Sequence, residues 1–223
     1  MAARNIALQN NSLWILVMTI RIGVYDFFSY LIGGGFLLGA ILYVVQKFLP
    51  VSSSLLNLST PQFLILGTIA YVMGFVSKPI SSRWYGLWVP KDLYQKTVNG
   101  LKAENPRLRV DIKDMDWYTL VAFIKRNNLD MALEVEQYNA KSIMLRSVSL
   151  GFLIFSSILG LEFVLPGRWL GHLILSLICF LLSIILIKQS IIYHTYFFRS
   201  IYQSVVATII EPDQLSVTID RKK

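Results

Sequence analysis

The chain has 223 residues, 55% of them hydrophobic and only 15% charged, with a mean hydropathy of +0.56 and a formal net charge of +8. A water-soluble domain usually has about a quarter of its residues charged. Here the apolar residues also come in long blocks, which excludes two independent soluble domains and predicts one membrane unit with a polar section. The single cysteine, Cys179, excludes a disulfide framework and a cysteine-based zinc site.

In chain order, residues 13–20 are apolar but too short to cross a bilayer. Arg21 interrupts them and no small-residue cleavage site follows, which argues against a cleaved leader. The stretch Asn11–Val24 therefore reads as an interfacial helix with Trp14 as a headgroup anchor. A first crossing is expected from Phe27 to Phe48, a length that spans the hydrocarbon layer at about 1.5 Å per residue. Pro50 and the serine-rich stretch to Thr60 form a short external loop. The second crossing runs from Gln62 to Val76, reaching toward Ile80, with Lys78 and Pro79 marking its inner end. The polar section occupies residues 81–146. A third crossing, Ser147–Leu165, turns at Pro166-Gly167 into a fourth, Leu170–Ile187, whose helical pattern continues through Ile209.

The polar section has its own periodicities. Leu93, Thr97, Val98 and Leu101 share one face of a short helix that Gly100 and Pro106 help to terminate. Arg107–Lys113 alternates Leu108, Val110 and Ile112 with charged residues, as a half-buried strand does. Leu215, Val217 and Ile219 repeat that alternation in the tail, so the two segments are expected to pair. From Asp114, a candidate N-cap, a second helix presents Trp117, Leu120, Val121 and Ile124. A third restarts after Asn127-Asn128 and runs into the third crossing, which would couple the polar section to the membrane.

Orientation follows from charge. Residues 81–146 carry eleven Lys or Arg, and the opposite loops carry little beyond Lys47 and Arg168. Basic residues collect on the cytoplasmic side, so the polar section and both termini are expected there. The predicted fold is an all-α membrane protein with four transmembrane helices in two hairpins. An N-terminal interfacial helix and a small cytoplasmic domain, helical with a two-stranded β element, complete it. The segments are 1–26, 27–80, 81–146, 147–190 and 191–223.

Two residue sets are candidates for function. Gly33, Gly34, Gly35 and Gly39 lie in the first crossing, where glycines permit close helix approach or a bend at a pore; Gly35–Gly39 has a small-xxx-small spacing. Asp26 stands at the edge of that crossing, where an acid marks a functional site or pairs with Arg21. The second set is basic: Arg83, Lys91, Lys96, Arg107, Arg109, Lys113 and Arg126. The topology rule explains most of it, and eight acids in residues 81–146 leave an excess of only +3. Aromatic residues interleave with the bases at Arg83-Trp84-Tyr85 and Trp88, and again from Tyr193 to Arg199. Such clusters suit a headgroup belt or the stacking of nucleotide bases. Glu162 and His172 flank the external turn with Arg168 between them, as an ion-pair cluster or an ion-attracting mouth. The inventory holds no Ser-His-Asp set, metal cluster or phosphate-cradling loop, so neither an enzyme nor a cofactor is expected.

The stretch Tyr25-Asp26-Phe27-Phe28-Ser29-Tyr30-Leu31-Ile32-Gly33-Gly34-Gly35 resembles the YD-x-x-x-YLIPG opening of small bacterial membrane proteins from anti-phage operons; Gly33-Gly34 stands where that family has Pro-Gly. The runs Glu136-Gln137-Tyr138 to Arg146 and Tyr193 to Arg199 look similar too. The functional type these stretches resemble is the Hailong-type effector. The resemblance implies an oligomeric ion channel in the bacterial inner membrane, held closed by an oligonucleotide that a companion nucleotidyltransferase makes. The expected function is accordingly a homo-oligomeric, ligand-gated effector that disrupts the inner membrane in anti-phage defence. A nucleotide or single-stranded oligonucleotide would bind the basic set, and the glycines and Asp26 would form the pore element. The alternative is a membrane-anchored structural or assembly protein whose cytoplasmic domain docks a partner. A transporter subunit is disfavoured, since no ionisable residue lies deep in a crossing.

Overall fold

A computed structural model describes residues 25, 27–46, 59–104, 117–164 and 170–209. The expected interfacial helix, Asp26, the strand pair at 107–113 and 215–219 and the turn at Pro166-Gly167 lie outside the described residues, as do Arg107, Arg109 and Lys113. Among the described residues every regular element is a helix: α1 (Phe27–Gln46), α2 (Thr60–Gly86), α3 (Leu93–Glu104), α4 (Trp117–Asn127), α5 (Leu129–Val164) and α6 (Leu170–Ile209). Four of them, α1, α2, α5 and α6, are long and apolar enough to cross a membrane.

Helix α2 starts at a capping box. The side chain of Gln62 accepts the backbone N–H of Ser59 at 2.9 Å, and Pro61 occupies a first-turn position where its missing N–H costs nothing. The helix continues past the expected end at Lys78-Pro79 to Gly86, with Pro79 inside it. A proline removes one helical hydrogen bond, but membrane-spanning helices tolerate that loss where neighbouring groups re-satisfy the backbone. Helix α5 is capped by Asn128, whose side-chain oxygen accepts the N–H of Met131 at 3.1 Å.

The described chain divides into two compact units, and α5 and α6 contribute residues to both. The polar unit comprises Lys91–Asn139 and the residues from His194 onward. Its core takes Val98 and Leu101 from α3, Leu120, Val121 and Ile124 from α4, and Ala132 and Val135 from the start of α5. The end of α6 adds a stripe from Phe197 to Val206. Ile124, Val135 and Ile201 are fully buried. Burying one such side chain contributes about 1.5–3 kcal/mol. Trp117 meets Phe197 edge to face with ring centres 5.5 Å apart, and Tyr94 meets Phe198 at 5.1 Å.

The apolar unit comprises Val24–Pro90 and Ala140–Tyr193. Helices α1 and α2 meet at two reciprocal notches. A side chain at Gly34 would run into the backbone of Ala70 and Gly74, and one at Gly74 into the backbone of Tyr30. Helix α1 also lies against α5, with Gly33 facing Ser147 and Gly151 facing Phe36. Ser29 Oγ donates across the same contact to the carbonyl of Ala140 at 3.0 Å.

Candidate functional site

The pairing of α5 with α6 rests on serines spaced by sevens. Ser142, Ser149 and Ser156 oppose Ser190, Ser183 and Ser176. In each pair both hydroxyls lie within reach of the partner's backbone carbonyl, at 2.8–3.0 Å. All six are buried. A hydroxyl reaches an opposing main chain only when two helices are very close, and small side chains allow that. A seven-residue repeat keeps the contact seam in register along helices that wind left-handed around each other. Each hydroxyl has one proton but two lone pairs, so two ladder oxygens still accept from outside the pair. Ser149 Oγ accepts from the Trp84 indole N–H at 3.0 Å, and Ser142 Oγ from Arg146 Nη2 at 2.9 Å. The end of α2 is thereby tied to α5.

Arg146 is unusual in this setting. Its guanidinium lies 4.0 Å from the ring centre of Tyr85, itself buried, a contact worth about 0.5–2 kcal/mol. No carboxylate of a described residue pairs with it, and its Nε is buried with no acceptor. A buried donor left in that condition costs about 1–3 kcal/mol. Trp84 and Tyr85, expected to serve as a belt or a base-stacking platform, are engaged inside this cluster. Toward the other end of the unit, the Glu162 carboxyl accepts from Tyr43 Oη at 3.0 Å and lies 3.6 Å from His172 Nε2. The Glu162 side chain is only 12% exposed; the group is embedded rather than an open mouth. Arg168 lies outside the described residues.

The glycine set divides. Gly33 and Gly34 are buried in contacts with α5 and α2, while Gly35 and Gly39 are exposed with open space beside them. The basic set divides too. Arg83, at the end of α2, is exposed in the apolar unit. Lys91, Lys96 on α3 and Arg126 on α4 are exposed in the polar unit. Lys96 is paired with Asp92 at 3.1 Å. Two bases outside the expected set also carry partners: Lys125 with Glu136 at 2.7 Å, and Arg199 with Glu104 at 2.8 Å. Among the described members of the set in this unit, Lys91 and Arg126 are thus those that no described acid neutralises. Among the described residues no three His, Cys, Asp or Glu side chains come together to hold a metal. Cys179 is buried.

Sequence reading missed the ladder, Arg146 and the Tyr43–Glu162 bond. The ladder did leave a signal, a seven-residue serine spacing in both apolar stretches. Compared with known families, curated proteins and solved structures, the chain matches none.

Proposed function

We propose that this chain is a multi-pass membrane protein that assembles with copies of itself into a channel-like effector. In this reading the four apolar helices cross the inner membrane as two hairpins. The polar unit stands in the cytoplasm with both termini, as the distribution of Lys and Arg favours. A nucleotide or short oligonucleotide binds the exposed cations of the polar unit, Lys91 and Arg126 among the described ones. Its occupancy alters the crossings, and the effector disrupts the membrane during anti-phage defence.

The observation that carries the assembly is the exposed Gly35–Gly39 pair on α1. The other glycines of that helix are already packed against its own α2 and α5. A small-xxx-small face left open within one copy is the surface on which membrane helices associate. The ligand part rests on the uncompensated cations and on the resemblance of residues 25–35 to anti-phage membrane effectors.

A second reading is a membrane-anchored assembly protein whose polar unit docks a protein partner. Tyr118 and Phe123, both exposed on α4, favour it, since aromatics are enriched where proteins meet.

Ion flux through purified protein in liposomes, with and without short oligonucleotides, separates the two when read beside the oligomeric mass. A ring-sized assembly whose flux responds to oligonucleotide supports the effector. A monomer without flux in either condition overturns it and leaves the docking protein.

A further inference from the structure

Helix α2 carries a cation well inside its length. Lys78 stands about two turns short of the end at Gly86 and is exposed. A charge on a helix that crosses a membrane is costly unless it finds a partner, and it marks a functional site by default. No carboxylate of a described residue pairs with Lys78. Its ammonium donates instead to a neutral oxygen, Tyr30 Oη, at 3.1 Å.

That oxygen is held firmly. Tyr30 is buried, and its ring meets Phe75 and Tyr71 of α2 edge to face, with centres 5.7 Å and 6.0 Å apart. Phe27, near the start of α1, stacks on Tyr71 at 5.1 Å. The ammonium is thus fixed at the edge of an aromatic patch shared by two membrane-crossing helices. Phe27 and Phe75 are exposed on that patch, where lipid would surround them.

The donor count says what the patch lacks. A lysine ammonium has three protons, and one of them goes to Tyr30. The others meet no acceptor among the described residues. A fixed positive charge with protons to spare complements phosphate oxygens, which accept charge-assisted bonds. The exposed ring of Phe75, three residues further into α2, offers an acyl chain a surface that a hydrated ion does not use.

We propose that Lys78 anchors an anionic phospholipid on the α1–α2 face. The phosphate lies at its ammonium, Tyr30 Oη positions that ammonium, and an acyl chain covers Phe75. The inference shares with the proposed function only the crossing of a membrane by α1 and α2.

The test is lipid retention by protein purified in detergent, after reconstitution in an equal mixture of phosphatidylglycerol and phosphatidylcholine, read by native mass spectrometry. The expected result is phosphatidylglycerol retained over phosphatidylcholine. The preference falls about fivefold in Lys78→Gln, the factor that one basic residue supplies at an anionic surface. It falls roughly threefold in Tyr30→Phe, which loses one hydrogen bond and keeps the ring. Lys188→Gln is the control, since Lys188 is exposed on α6 and unpaired with any described acid; its preference stays parental. Equal retention of the two lipids by the unmodified protein overturns the site, as does a preference that survives Lys78→Gln. An equal fall in Lys188→Gln overturns it too, by reducing the effect to general charge. Release of the lipid by excess inorganic phosphate would assign Lys78 to a free anion instead. Retention is read without flux, so an electrically silent protein that keeps its lipid sinks the channel and leaves the lipid site standing.

Discussion

Ser149 and Ser183 each donate a hydroxyl proton to the other's backbone carbonyl, both at 2.8 Å, across the contact of α5 with α6. In water such bonds would compete with solvent. Between apolar helices the competition is weaker, and what remains is close packing with a few directed bonds. The same Ser149 oxygen holds the indole of Trp84, so one small side chain joins three helices.

Replacing Ser149 by alanine removes its donor to Ser183 and the acceptor of Trp84 while preserving the close approach. The expected loss is about 0.6–2 kcal/mol, the span measured for bonds between membrane helices. Ser149→Leu forces the helices apart and costs more, about 1–3 kcal/mol beyond the lost bonds. Unfolding by dodecyl sulfate in mixed micelles measures both. A leucine variant as stable as the parent would show that this contact does not hold the helices.

Gly34 and Gly35 are neighbours with opposite prospects. Alanine is the better helix former by about 0.8–1 kcal/mol, so Gly35→Ala is expected to leave stability unchanged or raise it. Gly34→Ala is expected to lower it, because the new methyl meets the Ala70 carbonyl, which cannot turn away as a side chain would. Thermal unfolding of the two variants in detergent gives the comparison; equal midpoints would contradict the notch.

Two ion pairs of the polar unit also differ. Lys125–Glu136 has its carboxyl side chain 16% exposed, whereas Arg199–Glu104 is 42% and 56% exposed. Exposed pairs are worth about 0–1 kcal/mol and are screened by salt. Glu104→Gln is expected to be near neutral and Glu136→Gln to cost more, up to about 1 kcal/mol. Chemical denaturation at low and high salt tests the order, and a reversed order would refute it.

Tyr43→Phe deletes one oxygen from an otherwise unchanged ring. Its loss leaves the embedded Glu162 with one bond fewer, for an expected cost of about 0.5–1.5 kcal/mol. The tilted contact of that ring with Phe155, with centres 5.5 Å apart, survives in the variant. A variant of parental stability would show that Glu162 is fully served by its other neighbours.

What the sequence announces are averages over neighbours along the chain. A predominantly apolar stretch of 20 residues reports α1, and the spacing of Leu120, Val121 and Ile124 reports the buried face of α4. Contacts between distant segments leave weaker traces. Tyr43 and Glu162 are 119 positions apart, and nothing local to either points to the other. Arg146 looks like one more charge obeying the topology rule; its lack of a counter-ion among the described residues is visible only once Tyr85 and Ser142 surround it. Serine weighs little in a hydropathy average, so the ladder disappears into apolar stretches that are easily recognised for other reasons. Pro79, a helix breaker in water, does not end the helix: α2 continues through it to Gly86. The small-xxx-small motif drew attention to Gly35 and Gly39, but among the described residues the glycines that face other helices are Gly33, Gly34, Gly74, Gly151 and Gly160.

The serine ladder is also self-similar. Both helices carry the same side chain at the same interval, and each rung consists of a hydroxyl and a carbonyl on either side. Its chemistry therefore does not distinguish the α6 of one molecule from the α6 of another, nor the full register from one slipped by a heptad, which keeps two of three rungs. Chain connectivity makes that choice, through the short link of residues 165–169. Lengthening or cutting the link gives hairpins free to exchange partners and form domain-swapped dimers with every native rung intact.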